Sequence, residues 1–131
     1  MLNILYEDDE IIVVVKPSGI EAQSSRGFSQ DMVSLIAKHL CTKLSTDWGK
    51  LSTDKGKQGK KERIPYVGVI HRLDKPVSGV MVYAKTKNAA AMLSNQVREG
   101  IMNKGYYAVI CGKPVDNVGN FVDYLRKEGK I

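Results

Sequence analysis

The chain has 131 residues, 43% hydrophobic and 26% charged, with a formal net charge of +6. That composition excludes a disordered polymer, because enough apolar surface is present to offset chain entropy. The length suits a single domain and leaves little room for two.

The positive charge is concentrated in one half. Residues 1–65 hold ten Lys/Arg against nine Asp/Glu, whereas residues 66–131 hold ten against five. A basic surface of this kind favours polyanions such as RNA through counterion release, although a lysine-rich solvated surface has the same composition. The apolar run Ile11 to Val15 is too short to cross a bilayer, and no basic n-region or cleavage site follows Met1. No membrane partner is therefore expected. Cys41 and Cys111 stand seventy residues apart and match no metal spacing. They read as buried free thiols in a reducing, cytoplasmic setting.

Residues 2–7 and 10–16 read as two β-branched strands joined by the acidic turn Glu7-Asp8-Asp9-Glu10. Lys16-Pro17-Ser18-Gly19 stops the second strand, since proline donates no ladder hydrogen bond and glycine permits positive φ. Residues 29–40 carry a helical pattern, with Ser29 as N-cap, Asp31 in the first turn, and Met32, Ile36 and Leu40 on one face. LSTDWGK at 44–50 is repeated as LSTDKGK at 51–57. With six Lys/Arg against three Asp/Glu, residues 44–63 read as a basic surface loop inserted in the domain.

Beyond the loop, Tyr66–Ile70 and Val80–Ala84 read as strands around the polar stretch His71 to Gly79. Thr86 caps a helix over 87–98, with Ala89, Leu93 and Val97 on one face. Gly105–Cys111 and residues 119–125 are further strand candidates. Tyr106 and Tyr107, as strand neighbours, face opposite ways.

The stretch 71–79 holds one carboxylate, Asp74, among His71, Arg72 and Lys75. Neighbouring cations favour the ionised form, which suits a nucleophile or an electrostatic stabiliser better than a general acid. Residue types alone favour a turn aspartate paired with an arginine. His71 and Asp74 do not make a metal site, because the remaining histidine, His39, lies in the first helix. No Walker loop or GxGxxG supports a nucleotide cofactor.

Three segments in order resemble the RluA-type pseudouridine synthases. ILYEDDEIIVVVKPSGI is similar to the family's first hairpin and its Lys-Pro-x-Gly turn. GVIHRLDKPVSGVMVYAKT at 68–86 resembles the signature that carries the catalytic aspartate. VREGIMNKGYYAVICG at 97–112 is similar to the family's Lys-x-Tyr-x-Ala strand. Pro76-Val77-Ser78-Gly79 stands where the family commonly has Thr-Ser-Gly.

The resemblance implies an α+β fold with a mixed, mainly antiparallel sheet, helices on one face, and the Asp74 loop bordering a cleft. It also implies that residues 1–131 are the amino-terminal part of the catalytic domain, the carboxy-terminal half being absent. The implied reaction is isomerisation of uridine in ribosomal or transfer RNA, with no metal or other cofactor. Asp74 would be the catalytic carboxylate and Tyr106 would lie against the uracil, leaving Tyr107 to the core. Arg72 and His71 would serve the flipped nucleotide, and Lys16, Lys75, Lys85 and Lys104 would contact phosphate. A catalytically incomplete RNA-binding fragment of such an enzyme is the alternative.

Overall fold

The computed structural model describes residues 2–24, 30–49, 64–124 and 126. Its elements in chain order are β1 (Asn3–Glu7), β2 (Ile11–Lys16), α1 (Met32–Gly49), β3 (Gly68–Val69), β4 (Gly79–Ala84) and α2 (Lys87–Arg98). The four strands form one sheet in the order β1-β2-β4-β3, and every pairing in it is antiparallel. The fold is α+β.

Period-two alternation decides which side of the sheet becomes the core. Along β2, Ile12, Val14 and Lys16 are buried while their neighbours are half-buried. Ile12 pairs with Tyr83 and Val14 with Met81, so these four side chains form one apolar row. Met32, Ile36 and Leu40, spaced at four residues along α1, close over that row. Burial of each large side chain stabilises the fold by about 1.5–3 kcal/mol. α2 packs against β4 and β3 through its buried Ala89.

The acidic turn forms the expected hairpin. The Asp8 carboxylate accepts from the backbone N–H of Glu10 at 2.8 Å and of Ile11 at 2.7 Å. Thr86 caps α2 as expected, its hydroxyl accepting from the Ala89 N–H at 3.1 Å.

Other expectations need correction. The first helix begins at Met32 and runs to Gly49, into residues read as loop. Asp31 stands just ahead of it as the N-cap, accepting from the Ser34 N–H at 2.7 Å, while Ser29 lies outside the described residues. Residues 50–63 of the expected insertion also lie outside them. The strand expected over Tyr66–Ile70 is confined to Gly68–Val69.

The strands expected at Gly105–Cys111 and 119–125 are absent from the described residues: 103–124 form no ladder. Tyr107, expected in the core, is fully exposed, as are Val109 and Phe121. A strand needs a neighbour to satisfy its backbone, and favourable local composition does not supply one. The thiols are likewise less buried than expected, Cys41 being intermediate and Cys111 exposed.

Candidate active site

Between β3 and β4 the chain alternates inward and outward. His71 and Leu73 are half-buried, whereas Arg72 and Asp74 are exposed. His71 is held by the sheet, its Nε2 accepting from the Val82 N–H at 3.3 Å. Leu73 packs against the core cluster. Arg72 and Asp74 are thus carried outward by two inward anchors.

The turn that follows is fastened from behind. Val77 N–H donates to the Asp74 carbonyl at 3.0 Å and closes it. The Gly19 N–H donates to the Lys75 carbonyl at 2.8 Å, and the Ser18 hydroxyl donates to the Pro76 carbonyl at 2.8 Å. Gly19 has φ +87°, in the left-handed region where only glycine is at ease. Lys16 completes the fastening. Its ammonium donates to the carbonyls of Ile20 at 2.7 Å, Pro17 at 3.1 Å and Lys75 at 3.3 Å.

Lys16, expected at phosphate, is here engaged by these three carbonyls instead. It follows Ile12 and Val14 on the core side of β2 and is wholly buried. Burial pushes its ammonium pKa down, and the negative charge of Asp74 opposes that shift. The Asp74 carboxylate makes no hydrogen bond to any of the described residues, so its oxygens are open to a ligand.

Lys85, also expected at phosphate, is engaged by other groups of the chain. It pairs with Glu7 at 3.1 Å and donates to the Asp8 carbonyl. It follows the far end of the six-residue β4, about 20 Å from the Asp74 turn at 3.4 Å per residue. Lys75 is exposed on the turn itself. Lys104 is exposed, and its charge acts on His71. Burial and then the Lys104 charge push the His71 pKa below its ordinary value. Tyr106 is 66% exposed and belongs to the segment without a ladder.

Neither of two surface depressions among the described residues borders Asp74. These depressions, of about 300 and 170 Å³, are lined by other residues: Glu7, Tyr66 and Lys85 in one, Val15, Ile20 and Met32 in the other. Among the described residues there is no cluster of three or more metal-ligating side chains, and no helix is long and apolar enough to cross a membrane.

Sequence reasoning missed one charged cluster. Glu7 accepts from Lys43 at 2.9 Å and lies 2.9 Å from His39 Nε2, in addition to its Lys85 pair. Burial works to raise the Glu7 carboxyl, but His39, Lys43 and Lys85 outweigh it and hold the pKa at about 2. The cluster ties β1, α1 and the end of β4 together. Its members lie up to 78 residues apart, so no local pattern marks it.

Residues 10–130 match the family model described as RNA pseudouridylate synthase. Ribosomal large subunit pseudouridine synthase D of Zymomonas mobilis is 32% identical over 114 residues, which cover 86% of this chain and 32% of that protein. Dual-specificity RNA pseudouridine synthase RluA of Vibrio vulnificus is 34% identical, covering 84% of this chain and 35% of the relative. An uncharacterized RNA pseudouridine synthase of Aquifex aeolicus is 34% identical, covering 98% and 40%. A solved structure, human RNA Pseudouridylate Synthase Domain Containing 4, aligns at TM-score 0.46 and 24% identity over 74% of this chain and 30% of its own. The chain spans about a third of the length of the curated relatives it matches.

Proposed function

The chain belongs to the RNA pseudouridylate synthase family, and on that premise we propose that it isomerises uridine to pseudouridine within RNA, with Asp74 as the catalytic carboxylate. The observation that carries the assignment is the alternation at 71–74. Two anchored side chains, His71 and Leu73, present Arg72 and Asp74 outward on a turn fastened by Lys16, Ser18 and Gly19.

The reaction breaks the N1–C1′ glycosidic bond of a uridine, turns the base, and joins C5 to C1′. The C5 hydrogen leaves as a proton and N1 takes one up, so the change is an isomerisation with no redox step. Asp74 acts on the ribose, either by attack at C1′ or by removing a ribose proton. A carboxylate serves either route.

Reaching C1′ in a helix requires the nucleotide to be flipped out, at a cost of a few kcal/mol. Arg72 is two residues from Asp74 and exposed, and it fills the vacated stack or holds the flipped nucleotide. Lys75, exposed on the turn, and Lys104, exposed on the segment after α2, attract the phosphate backbone. Tyr106 lies against the uracil when the RNA draws its segment in.

The relatives named for the large ribosomal subunit make ribosomal RNA the first substrate to try. The dual-specificity relative makes transfer RNA the second. The cytoplasm is the matching compartment. The test is loss of tritium from RNA labelled at uridine C5, with Asp74→Asn alongside. Release by the parent alone supports the assignment. RNA binding without release from either protein favours the binding-fragment reading.

A further inference from the structure

We propose that His71 is the positioning residue of the Arg72–Asp74 stretch, and that it holds this stretch only while its imidazole is neutral. The argument begins with strand register. β3 pairs Gly68 with Ala84 and Val69 with Tyr83, which sets Ile70 opposite Val82. The ladder would then require a backbone carbonyl for the Val82 N–H. That donor goes instead to His71 Nε2 at 3.3 Å. The imidazole stands in for a strand carbonyl, so the backbone leaves the sheet without leaving a β4 donor unpaired. Leu73 then re-enters the core two residues later.

An accepting Nε2 carries a lone pair, so the proton of the neutral ring sits on Nδ1. Protonation turns Nε2 into a donor facing another donor. The bond is lost, the Val82 N–H is left unpaired, and the outward direction of Arg72 and Asp74 is no longer fixed. Burial favours the neutral form of the ring, and a like charge adds to it. That like charge is Lys104, on the segment after α2. Arg72 and Asp74 flank the ring on its own segment. β4 brings only Tyr83, whose hydroxyl is already donated to the Ala22 carbonyl at 3.1 Å.

The orientation claim rests on geometry alone; its consequence for turnover rests on the synthase reading. The test has one arm for each. In the isotope-labelled chain, the Val82, Arg72 and Asp74 amide resonances should move together in a single step, coincident with the His71 ring and below pH 6.5. His71→Gln supplies an amide oxygen near the Nε2 position without titrating, and that step should vanish. His71→Phe fills the space without an acceptor and should displace the Arg72 and Asp74 resonances at every pH. In tritium release, the acid-side fall of the parent's pH profile should disappear in His71→Gln.

A Val82 amide that stays flat through the His71 titration would overturn the proposal. So would a step that persists in His71→Gln, or Arg72 and Asp74 resonances unmoved in His71→Phe. Resonance results as expected with no turnover would leave the positioning role standing and count against the synthase reading.

Discussion

The backbone N–H of Gly19 donates to the carbonyl of Lys75 at 2.8 Å and joins the turn after β2 to the turn that carries Asp74. The contact requires Gly19 at φ +87°, and no heavy atom lies within 4 Å of where a Cβ would stand. Space is therefore available and only backbone strain opposes a side chain. Gly19→Ala should destabilise the fold by about 1–2 kcal/mol in urea titration. It should also speed exchange of the Val77 amide, whose bond to the Asp74 carbonyl closes the neighbouring turn.

Lys16→Met keeps the apolar stem of the side chain and removes the ammonium. The carbonyls of Pro17 and Ile20 lose a donor, whereas Lys75 retains the one from Gly19. Each hydrogen bond lost from a charged donor costs about 1.5–3 kcal/mol, less where water can replace it. A lowered urea midpoint, together with an intact RNA salt dependence, would fit a buried fastening role. A reduced salt slope with unchanged stability would instead mark Lys16 as a phosphate contact.

Gly79 sits opposite Lys16, and a Cβ there would stand 3.0 Å from Leu73 Cδ1. Leu73 is the inward anchor between Arg72 and Asp74, so Gly79→Ala pushes on the site directly. A loss of about 1–3 kcal/mol is expected from this overpacking. Gly79→Ala/Leu73→Ala should recover part of the clash while losing Leu73 packing, and a double-mutant cycle would measure the coupling.

Glu7 gives the stability a defined acid limb. Its folded pKa of about 2 lies below its ordinary value of 4.5, so the unfolded chain takes up the proton first. The contribution of Glu7 is fully present above pH 4.5 and is lost as pH falls toward 2. Glu7→Gln should cost about 1–3 kcal/mol at neutral pH through its bonds to charged groups. The difference between parent and variant should shrink through that window. A constant difference would argue against the pairing.

The sequence made some of these features plain and hid others for physical reasons. Thr86 and the helix after it were legible because a cap and a helical period are local signals. Met32, Ile36 and Leu40 were legible for the same reason. The burial of Lys16 was hidden because the unbroken apolar run Ile11 to Val15 conceals which side of β2 faces the core. Continuing the even-numbered positions from Ile12 through Val14 would have placed it inside. The grip on the Asp74 turn joins residues 58 apart in Ser18 and Pro76, and no motif encodes such a contact. Tyr106 and Tyr107 have strand composition, but a strand depends on a partner that composition does not provide.

The most direct test of the account is tritium release from RNA labelled at uridine C5, comparing the parent with Asp74→Asn. Because the Asp74 carboxylate is exposed and has no hydrogen-bond partner among the described residues, the substitution should change stability by no more than about 0.5 kcal/mol. The account predicts release by the parent and none above background by an equally folded variant. Equal release by both proteins, or none from the parent, would contradict it.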